Sequence, residues 1–251
     1  MVAEGVRLVG AAGSANPAWL IGGTAILHLC RAPESSELFG RVPADIDLAI
    51  PKRSANAFPA FMEGQRYEPN ESFNNLNGNR RLLFQDPVND RQVDVFVGGF
   101  MMCHEVPLLE RDPDVGQPTL PLAELLLMKL QIVELNRKDQ LDILNILASN
   151  PVEDHDESAI NGAVIGTLCA ADWGLWRTVT MNLDRSQEAA TAISASPDLH
   201  DRVRRRIDAL SASIEAASKT RRWRMRARIG DRVRWYEEPE EVDKGITLRA
   251  D

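Results

Sequence analysis

The sequence predicts an α+β chain, with a mixed β-sheet unit at the N-terminus and an α-helical region after it. Two observations carry this. From Trp19 to Val97, short β-prone runs alternate with proline, glycine and Asn/Asp turn signals. After Pro118, apolar residues recur at helical spacing instead. The expected division is therefore residues 1–117 as an α/β unit and 118–236 as a helical unit. An acidic tail at 237–251, containing Glu237-Glu238-Pro239-Glu240-Glu241, is expected to lack order.

Each element has its own signal. Trp19–Leu27 reads as a short apolar strand, a Gly22-Gly23 turn and then a helix through about Cys30. Ile46–Ile50 is an apolar run between Pro43 and Pro51, which suits a strand. Asn77-Gly78 predicts a turn before Arg81–Phe84, and Asp86-Pro87 with Asn89-Asp90 predicts another. Gln92–Val97 alternates polar and apolar residues and is expected to run antiparallel to Arg81–Phe84. Helices are expected over Pro121–Leu135, Lys138–Leu147, Ser158–Ala170, Trp173–Asn182 and Pro197–Ala217.

Composition excludes several classes. Of the 251 residues, 44% are hydrophobic and 26% charged, which is ordinary for a globular protein. No apolar run is long enough to cross a bilayer, and Met1–Gly13 lacks the pattern of a signal peptide, so a cytoplasmic protein is expected. Three cysteines, Cys30, Cys103 and Cys169, are too few and too scattered for a disulfide framework or a zinc site. The net charge of −8 is unevenly spread: Asp201–Trp235 holds 12 Lys or Arg against four acidic residues. That stretch reads either as a solvated helix face or as a surface for an acidic partner.

The chemistry centres on Asp45-Ile46-Asp47. Residues at i and i+2 of a strand share a face, so the two carboxylates sit together while Ile46 and Leu48 turn to the core. Such a pair repels unless a cation or proton lies between, and hard oxygen ligands suit Mg²⁺. Asp94 stands in the apolar strand Val93–Val97, where an unpartnered carboxylate is costly to bury. It is either a third ligand on a neighbouring strand or a residue of a solvated sheet face. The Gly22-Gly23 turn and Thr24 open a helix whose free N–H groups can face a phosphate. Lys129 lies among leucines and either reaches a triphosphate or snorkels to the surface. Arg80 and Arg81 alternate, so one of them can face the cleft and contact phosphate. His28 and His104 are isolated and read as structural.

Taken together, Gly22-Gly23, Asp45-x-Asp47 and Asp94 resemble the nucleotidyltransferase superfamily that includes DNA polymerase β. The nearer resemblance is to AbiEii-type toxin nucleotidyltransferases. It rests on Gly22-Gly23-Thr24-Ala25, Arg31 or Arg41, Asp45-Ile46-Asp47-Leu48 and Lys138-Asp139-x-x-Asp142, and it covers roughly residues 18–148. Pro33–Val42 looks like an inserted loop, and Ala44 stands where a serine is frequent. The resemblance implies a nucleotidyltransferase-type fold and two-metal transfer of a nucleotide from an NTP. Asp45, Asp47 and Asp94 would be the catalytic metal ligands for two Mg²⁺ ions, with Asp94 also helping to accept the proton. Gly22, Gly23, Thr24, Arg81, Lys129 and Lys138 would bind the NTP. It also implies an RNA or protein acceptor and a cognate antitoxin partner, and the arginine-rich runs Arg202–Arg206 and Arg221–Arg228, with Trp223, are expected to bind the backbone of an RNA acceptor such as tRNA with stacking. A small-molecule, antibiotic-type nucleotidyltransferase and an inactive nucleotide- or RNA-binding protein stand as alternatives.

Overall fold

The protein is described by a computed structural model, which defines residues 1–32, 37–107 and 117–238. Residues 33–36 of the expected inserted loop at 33–42 and residues 239–251 of the expected tail at 237–251 lie outside the described residues.

The chain is α+β, built on a mixed five-stranded sheet. It opens with helix α1 (Val2–Ala12), followed by strand β1 (Trp19–Ile21), helix α2 (Gly22–Leu29) and strand β2 (Ile46–Ile50). Then come α3 (Phe58–Gly64), β3 (Glu68–Pro69), α4 (Glu71–Asn77), β4 (Arg81–Asp86) and β5 (Arg91–Val97). The spatial order is β1-β2-β5-β4-β3, with β2 and β5 parallel and the remaining pairs antiparallel. β4 and β5 form the expected hairpin, with Leu83 opposite Asp94.

Helices α1, α3 and α4 were not expected. α1 contains Gly5 and Gly10, and glycine weakens a helical pattern by about 1 kcal/mol against alanine. Packing accounts for Gly5: a side-chain carbon there would collide with Leu20 of β1. Leu8 and Ala12 of the same face are buried. α3 and α4 are too short to show a period.

A small hairpin, β6 (Gly99–Met101) and β7 (Glu105–Pro107), follows the sheet. The helical region contains α5 (Leu122–Leu130), α6 (Arg137–Ser149), a short parallel pair β8 (Val152–Glu153) and β9 (Ile160–Asn161), then α7 (Gly162–Ala171), α8 (Trp173–Ala192), α9 (Pro197–Ala216) and α10 (Arg221–Ala227). Among the described residues, no helix is long and apolar enough to cross a membrane.

One hydrophobic core runs through both regions, from Leu8 and Ile46 to Leu210 and Ile214. α2 packs against β1 and β2 and also against α5 and α6. At Pro118 itself the chain is sewn to the sheet edge. Leu20 N–H donates to Pro118 O at 2.7 Å, and Leu120 N–H donates to Leu20 O at 3.3 Å.

α5 ends at Leu130, five residues before its expected end, and α8 runs ten residues past Asn182. The early stop of α5 has a structural cause. Asn182 is fully buried in α8, and its Nδ2 donates to Leu130 O at 2.8 Å and Ile132 O at 2.7 Å. Arg185 donates to Val133 O at 2.8 Å. The carbonyls freed by stopping α5 are satisfied by side chains of α8, so the turn there is stable. Asn182→Leu should strand two buried carbonyls and lower stability by about 2–3 kcal/mol. A fall in melting temperature of about 5 °C or more by calorimetry would be the corresponding signal.

Candidate metal centre

β2 and β5 position the carboxylates. They pair in parallel with Asp47 directly opposite Asp94, so both side chains leave the same face of adjacent strands. Asp45 lies two residues before Asp47, just ahead of β2. Ligand oxygens of Asp45, Asp47 and Asp94 fall within 4.8 Å of one another, a group able to hold a metal ion. The flanking residues Ile46, Leu48, Val93 and Val95 are fully buried and fix the strands. Asp94 is buried and turned toward the pair, so the solvated-face reading does not hold.

Burial and mutual repulsion act together on these carboxylates. Burial, with repulsion from Asp45 and Asp94, pushes the Asp47 carboxyl up to about 7, and Lys129 and Arg81 pull it only partly back. Arg81 balances Asp94 directly. Its Nε meets Asp94 Oδ1 at 2.9 Å and an Nη meets Oδ2 at 2.9 Å, a two-point pair. The Arg81 guanidinium lies over Phe96, 5.0 Å from the ring centroid. Gln92 Nε2 donates to Asp94 Oδ2 at 3.2 Å. Sequence reading missed Gln92, although its place two residues before Asp94 on one strand put it on that face.

The glycine turn fits closely against this group. Gly22 has φ +62, in the left-handed region, and a side-chain carbon there would strike Asp47 Oδ2. A side-chain carbon on Gly23 would strike the Arg41 guanidinium. Both glycines lie in the first turn of α2, whose leading N–H groups have no partner within the helix. Thr24 is buried, and its hydroxyl donates to Asp45 O at 3.0 Å, so it positions the loop carrying the first carboxylate.

A second charged group lies behind the glycines. Arg41 Nε and an Nη donate to Asp142 Oδ1 and Oδ2 at 2.9 and 2.7 Å. Lys129 Nζ lies 2.7 Å from Asp139 Oδ1 and 3.1 Å from Asp142 Oδ2. Lys129 does not snorkel. Burial works to lower its pKa, but Asp142 and Asp139 outweigh that and raise it, so the ammonium is kept. Of the two arginines ahead of β2, Arg41 belongs to this group, whereas Arg31 bonds to His28 O at 2.7 Å. Lys138 is exposed beside it on the first turn of α6. His104 is buried with Nε2 2.8 Å from Thr178 Oγ1, and burial pushes it down to about 4, a neutral packing residue.

No protein-family model, curated protein or solved structure matches the chain.

The Asp47 shift has a defined sign. Its folded value of about 7 lies above the ordinary carboxylate value, so the folded chain holds that proton more tightly than the unfolded one. The stability this gives is present below about pH 4 and is lost as pH rises through about 7. Without divalent metal, Asp47→Asn should raise the melting temperature near pH 8 by several degrees and much less near pH 5. Equal effects at both pH values in thermal melts would contradict the shift.

Proposed function

We propose that the protein is a Mg²⁺-dependent nucleotidyltransferase, which moves a nucleotide from an NTP to an acceptor hydroxyl. The observation that carries this is the convergence of Asp45, Asp47 and Asp94 within 4.8 Å, beside a glycine turn that opens a helix. The donor set fits the ion: three carboxylates, two of them on adjacent strands, offer hard oxygens within 4.8 Å of one another. Asp45, Asp47 and Asp94 would hold Mg²⁺, two ions in all. Bound there, the metal would stabilise the triphosphate and lower the pKa of the acceptor hydroxyl.

The other residues have complementary tasks. Gly22 and Gly23 carry no side chain, which lets Asp47 and the Arg41 guanidinium lie against the start of α2, whose leading backbone N–H groups would face the phosphates. Lys129 is a cation close enough to Asp47 to draw its pKa down, and its pairing with Asp139 and Asp142 holds it charged there. Arg81 holds Asp94 in line and neutralises it until a metal takes that charge. In the reaction, the acceptor oxygen bonds to the α-phosphorus, pyrophosphate leaves, and the hydroxyl proton is released. This reading agrees with the resemblance to polymerase β-like and AbiEii-type nucleotidyltransferases.

Incubating the protein with each α-³²P-NTP and with total cellular RNA and protein should label one acceptor. The double variant Asp45→Ala/Asp47→Ala should lose that labelling by several orders of magnitude while its circular dichroism is unchanged. Equal labelling by the double variant would remove the metal role. Arg81→Gln should lower the melting temperature of the metal-free protein. It should also enlarge the rise produced by MgCl₂, because a competing cation is gone. An unchanged Mg²⁺ response would show that Arg81 and metal do not share Asp94.

A further inference from the structure

We propose that α10 and the aromatic cleft beside it form a docking surface for single-stranded nucleic acid, apart from the aspartate group. The surface stands on its own geometry and does not depend on the proposed transfer activity.

The charge is concentrated. Residues 221–234 contain seven arginines and a single acidic residue, Asp231, which is paired with Arg177 at 3.1 Å. α10 is held firmly by its inner face. Thr220 caps it by accepting from Trp223 N at 3.1 Å, and Thr220 N–H donates to Ala170 O at 3.0 Å. Trp223 packs edge-on against Trp176 at 5.2 Å. Arg226 stacks over Trp173 at 4.5 Å and donates to Gly230 O at 2.7 Å and Val233 O at 2.6 Å. The outward arginines are left over: Arg221, Arg222, Arg224, Arg228 and Arg232 are exposed and form no ion pair among the described residues. A solvated face stabilised for its own sake would pair such charges at i,i+4, as Arg204 and Asp208 do on α9. Instead, α10 presents a row of like charges, which a polyanion would relieve.

The cleft supplies what a phosphate chain alone does not need. It encloses about 590 Å³ and is lined by Trp173, Trp223, Trp235 and Tyr236, together with Arg222 and Arg226. Three of the chain's five tryptophans and one of its two tyrosines therefore meet in one place. Trp235 and Tyr236 are half-buried, with rings at 5.5 Å in an edge-to-face arrangement. Guanidinium groups already lie over these rings, Arg226 over Trp173, Arg177 over Trp235 at 5.7 Å and Arg234 over Tyr236 at 5.2 Å, so unpaired bases would extend these ring–guanidinium stacks, whereas a duplex keeps its bases out of reach. Glu105, Asp172 and Glu237 also border the cleft, where carboxylates can accept from exocyclic base amines. The volume suits one nucleotide, with neighbouring phosphates on the arginine row.

The test uses the full chain and a 5′-labelled single-stranded RNA of about 12 nucleotides, read by fluorescence anisotropy and tryptophan quenching. Arg222→Ala/Arg224→Ala/Arg228→Ala should weaken binding at least tenfold and reduce the salt slope by about 2. Tyr236→Ala should weaken it about fivefold or more, and an abasic strand should bind without comparable quenching. Asp45→Ala/Asp47→Ala should bind as the parent does, which separates this surface from the metal site. Binding by the triple variant within twofold of the parent would overturn the proposal. So would duplex RNA bound as tightly as the single strand, or equal competition by a polyglutamate peptide.

Discussion

The parallel pairing of β2 with β5 sets Asp47 beside Asp94, and everything at the candidate centre answers to that juxtaposition. Two carboxylates on neighbouring strands of one face, with a third two residues away, are a costly arrangement in a buried setting. The fold tolerates it because apolar side chains on every flank lock the strands in register, and because Arg81 lends one positive charge. The residual imbalance shows at Asp47. Three carboxylate oxygens that converge in this way form a group able to hold a metal ion.

Much of this was legible in the sequence. The Ile46–Ile50 strand, the β4–β5 hairpin, the glycine turn and the three aspartates each follow from local pattern: strand alternation, turn dipeptides and acidic residues set among apolar ones. What pattern could not give was the partner of each charge. Lys129 could be read as a surface residue or as a phosphate ligand. Its pairing with Asp139 and Asp142 depends on the angle between α5 and α6, and no periodicity encodes that angle. The same holds for Arg41, whose contact with Asp142 spans about a hundred residues of chain. α1 was hidden because its glycines serve packing against β1, a tertiary requirement that overrides helical preference. The early stop of α5 was hidden for a similar reason, since its carbonyls are satisfied by Asn182 from a distant helix.

The two charged regions of the molecule are organised differently. Around the aspartates, nearly every cation is matched to a carboxylate, and the departures from balance are local. On α10, Arg221, Arg222 and Arg224 are exposed with no carboxylate partner among the described residues, and aromatic rings collect beside them. The first arrangement suits a small, highly charged ligand held at fixed points. The second suits a long, repeating one held by many weak contacts.

The ion pairs running from Lys129 through Asp139 and Asp142 to Arg41, and from there against Gly23, bear on what the smallest working fragment of this chain is. A piece cut at the sheet's end would keep all three aspartates yet leave the Arg41 guanidinium without its counter-charge, directly behind the glycine turn. The autonomous unit therefore reaches at least through α6 to Ser149. The helices after the sheet are part of the scaffold that shapes the site rather than an appendage that can be exchanged freely.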